Sequence, residues 1–236
     1  MNRSILLAFA HPDDETFGLA GTIARYARQG VPVDLITATR GEKGSRLHVP
    51  EGVPTGLARE AELRAAGKLM GLREISFLGY IDGELDRADP AGVAGKVKEI
   101  IERIKPEVLI TFGPDGITGH LDHIAAGKAA TAAFNELAKA GRAPRKLYYV
   151  TLPSSVFTDG EDDGLFTRPD SEVTTEIDIT GYFDLKLRAI AAHRSQQDAA
   201  DFIEIMNEER DSPFARREYF YLASGPVTRK ETDLFE

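Results

Sequence analysis

Short uninterrupted apolar runs alternate with longer amphipathic segments along the first two thirds of the chain. This alternation is typical of parallel strands that are buried on both faces and joined by crossover helices. We therefore expect the element order β-α-β-α-β-α-β-α-β. The segments that carry this order are residues 4–10, 17–29, 33–39, 57–70, 74–78, 91–104, 108–112, 121–140 and 146–152.

The last third of the chain has a different pattern. Residues 153–171 are rich in Pro, Gly, Asp and Thr, which predicts a loop. A strand at 173–179, helical segments at 182–197 and 198–210 and a strand at 218–222 are expected after it.

The predicted fold class is α/β, a Rossmann-like, doubly wound, mostly parallel sheet with helices on both faces and a C-terminal α+β extension. We expect one domain over residues 1–236, with a core at 1–152 and an extension at 153–236 packed on it. Ligands of such sheets bind at the carboxyl ends of the strands, where the strand order reverses. The first and fourth strands are expected to flank that point.

Composition narrows the classes of function. The 236 residues include 29 Lys and Arg against 38 Asp and Glu, a net charge of −9, which argues against nucleic-acid or anionic membrane partners. Cysteine is absent, so disulfides, thiolate metal sites and a cysteine nucleophile are excluded, and any metal must be bound by His, Asp or Glu. The first apolar run is too short for a signal peptide or a membrane span, so we expect a cytoplasmic protein.

A dense cluster of polar residues follows the first predicted strand. Within five residues it holds one imidazole, His11, and three carboxylates, Asp13, Asp14 and Glu15, where a dinucleotide-binding protein would carry glycines. Like charges at this density need a cation or a helix N-terminus nearby. In the simpler alternative, Asp13 or Asp14 caps the following helix and the other side chains are solvated.

A second cluster follows the fourth predicted strand and ends in His120, Asp122 and His123. The two histidines are three residues apart at a helix start and can share a face, although such a pair by itself is also typical of surface or capping histidines. Convergence of both clusters on one crevice predicts a metal site. Two imidazoles and a carboxylate suit Zn²⁺ with an open position, and they also accept Fe²⁺.

The two clusters resemble the hallmarks of the LmbE-like, or PIG-L type, zinc-dependent N-deacetylases: A/S-H-P-D-D after the first strand and H-x-D-H after the fourth. The resemblance extends to residues 39–42, 59–60, 78–83 and 186–196. It implies that His11, Asp14 and His123 bind zinc and that Asp13 is the general base. His120 would stabilise the oxyanion or protonate the departing amine.

Further roles come with the same resemblance. Asp122 would orient His120, or would simply complement the helix N-terminus. Arg40, Arg59 and Asp82 would contact the substrate, and their alternatives are solvated loop charges or pairs within a helix. His193 matches a family position near the active site, although a single helical histidine is equally often structural.

The resemblance implies removal of the acetyl group from an N-acetylglucosamine-type sugar or glycoconjugate, such as a bacillithiol or mycothiol precursor. The alternatives are an amidase of the same fold acting on a thiol conjugate or an antibiotic precursor, and a non-catalytic metal- or sugar-binding protein. Asp13 and His120, which metal binding does not need, argue against the last. The family also implies a small-molecule substrate and a homo-oligomer, a trimer or hexamer. Residues 44–56 are either a lid or a solvated loop.

Overall fold

The computed structural model describes residues 3–156, 164–226 and 230–236. One seven-stranded sheet runs through these residues in the order β3-β2-β1-β4-β5-β7-β6. The strands are β1 (Ile5–Phe9), β2 (Val33–Thr37), β3 (Glu74–Phe77), β4 (Val108–Phe112), β5 (Lys146–Thr151), β6 (Thr175–Asp178) and β7 (Arg217–Ser224). The α-helices are α1 (Asp14–Arg28), α2 (Thr55–Met70), α3 (Pro90–Ile104), α4 (Leu121–Lys139), α5 (Phe183–Ile190), α6 (Gln197–Glu208) and α7 (Pro213–Arg216).

The sheet is parallel from β3 through β5. Strand β1 is the middle one of these five parallel strands, with Ile5 in register with Val33 on one side and Val108 on the other, and all five of its residues are buried. Helices α1, α2 and α5 pack together on one face, and α3 packs on α4 on the other. The predicted α/β class and doubly wound order are confirmed.

Strand order reverses between β1 and β4, as expected. The chain passes from β1 through α1 to β2 on one side, and reaches β4 on the other side through α3. Right-handed crossovers in opposite directions place their helices on opposite faces, which opens a crevice at the carboxyl ends of β1 and β4.

The C-terminal third departs from the predicted elements at α5 and at the short helix α7, which was not predicted. The helix expected over 182–197 ends at Ile190, and residues 191–196 form turns. Within these turns the amide and hydroxyl of Ser195 bond the carboxylate of Glu62, and the buried His193 bonds Thr16, so tertiary hydrogen bonds replace the helical ones. Residues 157–163 of the predicted loop lie outside the described residues.

The extension joins the sheet of the core rather than forming a second one. Strand β7 runs antiparallel to both β5 and β6, and the segment 230–236 is fixed by a buried ion pair of 2.6 Å between Lys146 Nζ and Glu231 Oε1. The division at residue 152 stays a prediction. Among the described helices, none combines the length and apolar character needed to cross a bilayer.

Candidate active site

The turn between β1 and α1 is closed by one of its own carboxylates. Asp14 Oδ2 accepts hydrogen bonds from the backbone amides of Ala10 (3.0 Å) and His11 (2.8 Å). Asp13 occupies the N-cap position with φ 128°, a region that non-glycine residues rarely adopt, and its side chain makes no capping bond. The capping alternative is therefore not what the structure shows, since neither carboxylate caps α1.

Three donor atoms converge where this turn meets the start of α4. Nδ1 of His11 lies 3.2 Å from Nε2 of His123, which lies 3.2 Å from Oδ1 of Asp14. His11 Nδ1 also lies 3.8 Å from the other carboxylate oxygen of Asp14, Oδ2. Ligands at about 2.0–2.2 Å around a tetrahedral Zn²⁺ lie roughly 3.3–3.6 Å apart. The three side chains therefore fit the metal that the family resemblance implies.

The outer nitrogens of both imidazoles are occupied in the manner typical of metal-binding histidines. His11 Nε2 lies 3.0 Å from Asp82 Oδ1 and 3.3 Å from Asp122 Oδ2, and His123 Nδ1 lies 3.0 Å from the Gly116 carbonyl oxygen. Acceptors at the outer nitrogens keep the protons there and direct the inner lone pairs at the cation. This arrangement is the strongest structural support for a metal at the crevice.

The ring of His123 is fixed from both sides. It stacks on Phe112 at the end of β4, with centroids 4.2 Å apart and an interplanar angle of 5°. On the side of the preceding loop, a Cβ on Gly116 would come 2.9 Å from His123 Cβ, and the φ of +66° at Gly116 also favours glycine. The loop from β4 to α4 therefore needs glycine here to bring its backbone against the imidazole.

The carboxylates and imidazoles of the cluster stabilise each other's charged forms. Burial disfavours ionisation of Asp14, but the adjacent His123 and His11 outweigh it and lower the pKa of that carboxyl. Burial likewise opposes a charged His11, yet hydrogen bonds to Asp122 and Asp82 raise its pKa to about 10. A metal ion would take over the role of these imidazolium protons in balancing the carboxylates.

Asp13 lies beside the donor set without belonging to it. Its Oδ2 accepts a hydrogen bond of 2.7 Å from Nη2 of Arg59. Burial raises the pKa of Asp13 to about 7, against the opposing charge of Arg59. A carboxyl that changes protonation near neutral pH, next to a metal site, has the properties of a general base.

His120 has one nitrogen fixed and one free. Its Nδ1 accepts a hydrogen bond of 3.1 Å from the backbone amide of Asp122, so the neutral ring carries its proton on Nε2. Burial and the neighbouring His11 and His123 lower the pKa of His120, which favours this neutral form. Nitrogens of all three histidines lie within 4.8 Å of one another, and the adjacent Asp14 supplies a negative charge that a divalent cation needs.

Two carboxylates have partners other than those expected. The side chain of Asp122 bonds His11 and the backbone amides of Gly83 (2.7 Å) and Leu85 (3.1 Å). Asp82, expected to contact a sugar hydroxyl, is 6% exposed and bonds His11. Both carboxylates therefore contact His11. The contact of Asp122 with His120 is made by its backbone amide, and the orientation of His120 by Asp122 stays a prediction.

The remaining substrate candidates bond side chains outside the donor set. The guanidinium of Arg40 bonds Glu60 Oε2 (2.7 Å) and lies 4.9 Å over the ring of Phe77. His193 is 0% exposed and bonds Thr16 Oγ1 at 3.1 Å. The position of His193 favours the structural interpretation, and a role for Arg40 in substrate binding stays a prediction.

The burial of Glu15 was not predicted from the sequence. Its carboxyl is fully buried and bonded by the Thr16 hydroxyl, and burial raises its pKa to about 8. The sequence does contain a signal for this burial. Glu15 precedes Leu19 and Ile23 by four and eight residues, so it lies on the buried face of α1.

Comparison with known proteins identifies the family of the chain. The sequence model of the PIG-L family, GlcNAc-PI de-N-acetylase, matches residues 6–134. A 1D-myo-inositol 2-acetamido-2-deoxy-alpha-D-glucopyranoside deacetylase from Saccharomonospora viridis is 33% identical, covering 98% of this chain and 99% of the relative.

Solved structures share the fold at lower identity. An N,N'-diacetylchitobiose deacetylase from Pyrococcus horikoshii has a TM-score of 0.69 at 23% identity, covering 93% of this chain and 83% of the other. A 4-carboxy-2-hydroxymuconate hydratase from Pseudomonas putida has a TM-score of 0.72 at 22% identity, covering 96% and 98%. The fold therefore does not by itself decide the reaction. The family match and the near full-length relative do establish membership: the chain belongs to the PIG-L, GlcNAc-PI de-N-acetylase, family.

Proposed function

We propose that this protein removes the acetyl group from an N-acetylglucosamine glycoconjugate. The observation that carries the proposal is the set of three inward-facing donors, His11, Asp14 and His123, with an unligated carboxyl, Asp13, beside them. Metal binding needs only the first three. The adjacent carboxyl adds a proton acceptor, which is what amide hydrolysis requires.

We propose Zn²⁺ as the metal, bound by His11 Nδ1, Asp14 Oδ1 and His123 Nε2. The nitrogen and oxygen donors and their spacing fit Zn²⁺, and the same set accepts Fe²⁺. When bound, such an ion acts as a Lewis acid on the amide carbonyl and acidifies a water molecule in the open position.

The chain's own groups move the protons. Asp13 accepts a proton from the attacking water as its oxygen bonds the carbonyl carbon, and Nε2–H of His120 donates a hydrogen bond to the oxygen that gains negative charge. Breakage of the C–N bond then needs a proton on the departing nitrogen, which the newly protonated Asp13 supplies. The products are acetate and the free amine.

The names of the relatives support a substrate class. The Saccharomonospora viridis relative is named for an inositol glycoside of N-acetylglucosamine. We propose that the substrate of this protein is likewise an N-acetylglucosamine glycoside of a small polar alcohol, such as inositol. The cytoplasmic location and the trimer or hexamer stay predictions from the sequence.

An assay of free-amine release tests the proposal. Purified zinc-loaded protein is incubated with the inositol and malate glycosides of N-acetylglucosamine, with N-acetylglucosamine itself and with diacetylchitobiose. We expect the highest rate with a glycoside of a small polar alcohol, and a rate near background for Asp13→Asn at equal metal content. Release of no amine from any of the four would refute the deacetylase function.

A further inference from the structure

We propose that Arg59 is a positioning residue that fixes the general base Asp13, and is not a substrate-binding residue. The inference rests on the proposed deacetylase function. The sequence placed Arg59 among the groups that would contact the sugar, because arginine readily recognises hydroxyls and carboxylates. The contacts of its guanidinium assign it a different role.

The donors of the guanidinium are directed into the protein. Nη2 bonds Asp13 Oδ2 at 2.7 Å and the Pro12 carbonyl at 2.7 Å, and Nη1 bonds the Gly41 carbonyl at 3.1 Å. The side chain is 5% exposed, and its Nε is buried without a partner. A sugar in the crevice therefore finds no free donor of Arg59 on an open surface.

The surrounding backbone is shaped to admit this guanidinium. A Cβ on Gly41 would come 2.0 Å from Nη1 of Arg59, and one on Gly44 would come 2.5 Å from the same atom. Gly41 also has a φ of +67°. Two glycines in four residues thus leave room for a buried arginine that bonds both the catalytic turn and the loop after β2.

That loop is in turn bonded to the C-terminal turn at 191–196. Gln196 Nε2 donates to the Ser45 carbonyl at 3.1 Å, and the Leu47 amide donates to the Ser195 carbonyl at 3.0 Å. Ser195 bonds Glu62, one turn along α2 from Arg59, at 2.7 Å through its hydroxyl. These contacts bring three separate segments together around Arg59.

Asp13 needs such support because its own backbone does not favour its conformation. At φ 128° a residue with a Cβ is strained, and such strain persists only where surrounding contacts hold it. Arg59 bonds one carboxylate oxygen and the preceding carbonyl together. Among the residues that the structure describes, none bonds Asp13 Oδ1, so that oxygen is left to accept the proton of the attacking water.

Three variants at two positions test this role. Arg59→Lys keeps a positive charge but not the forked donors, and Arg59→Ala leaves a space that added guanidinium ion can occupy. Arg64→Lys is the matched control, since Arg64 lies on the same helix, is exposed, and bonds Glu60 and lies over the ring of Phe77 rather than bonding Asp13. The kcat and KM for the best N-acetylglucosamine substrate and the zinc content are measured for each, with and without millimolar guanidinium, below its denaturing range.

A positioning role predicts that both Arg59 variants keep their zinc and a KM within about twofold, while kcat falls roughly 100-fold, the smaller end of what a placed general base contributes. Guanidinium should restore part of the kcat of Arg59→Ala and leave Arg64→Lys unaffected. If Arg59→Ala does not fold, Arg59→Lys alone still separates kcat from KM.

A rise in KM at unchanged kcat would overturn the proposal, because it would show that Arg59 binds the substrate. Unchanged kcat and KM, loss of zinc in the Arg59 variants, or the absence of rescue in a folded Arg59→Ala would also overturn it. A wild-type protein without deacetylase activity would instead contradict the proposed function, so the two failures are distinguishable.

Discussion

His193 makes the folded protein sensitive to acid through its burial. The side chain is 0% exposed, Nε2 bonds Thr16 Oγ1, and Nδ1 is buried without a partner. Burial, assisted by the positive charge of Arg59, lowers the pKa of His193 to about 3 from the ordinary 6.5. The folded protein therefore holds this imidazole neutral at pH values where the unfolded chain protonates it.

The sign and size of the effect follow from proton linkage. Because the unfolded chain binds the additional proton, His193 favours folding above about pH 6.5, and this contribution is lost as pH falls from there toward about 3. The limiting slope is about 1.4 kcal/mol per pH unit, which gives about 2 kcal/mol between pH 7 and pH 5. This figure depends little on the folded pKa, provided that it lies well below 5.

We expect His193→Gln to lose about 2 kcal/mol less stability than the wild type between pH 7 and pH 5, since glutamine does not titrate and can place a nitrogen near that of Nε2. Urea unfolding at both pH values, followed by far-ultraviolet circular dichroism with a chelator present, measures the difference. The chelator removes the competition between protons and metal. His48→Asn is the control, because His48 is exposed and its φ of 55° suits asparagine. Parallel loss of stability in wild type and His193→Gln would refute a neutral, buried His193.

Three further predictions concern the metal and the base. Asp13→Asn should retain its metal and lose roughly 10²–10⁴-fold in turnover, as measured by amine release and metal analysis; near wild-type turnover would contradict the base assignment. The double variant His11→Ala and His123→Ala should contain no metal after purification, and full occupancy would exclude this donor set. Asp82→Asn should weaken metal affinity by about 10–100-fold in a chelator competition, because His11 loses a carboxylate partner; an unchanged affinity would show that Asp82 does not support the site.

The fold and the convergence of the two clusters could be predicted because their signals are local. Apolar runs of strand length, separated by helical periodicity, identify β1 to β5, and parallel strands bring their carboxyl ends to one edge. His11 and His123 each lie within a few residues or one loop of such an end. Sequence spacing was therefore enough to bring them into one crevice.

The partners of these side chains could not be predicted, because they depend on the paths of loops. Asp82 reaches His11 because the loop after β3 bonds the start of α4 through Gly83 and Leu85, and no periodicity encodes that path. The early end of α5 also results from a distant contact. The amide and hydroxyl of Ser195 bond the carboxylate of Glu62 instead of continuing the helix. In both cases distant contacts outweigh local propensity.

The close approach of Gly41 and Gly44 to Arg59 has a consequence for how the family's sequences vary. A side chain at either glycine would collide with the guanidinium, and a smaller residue at 59 would remove that collision at both positions. The neighbour that stays close to a Cβ at 44 is Oε1 of Gln196, at 2.7 Å, the end of a flexible side chain. Relatives that replace Arg59 should therefore tolerate larger residues at 44, where no positive φ restricts the choice, more readily than at 41. In a collection of sequences, positions 44 and 59 should vary together, and an arginine at 59 beside a bulky residue at 44 should be rare.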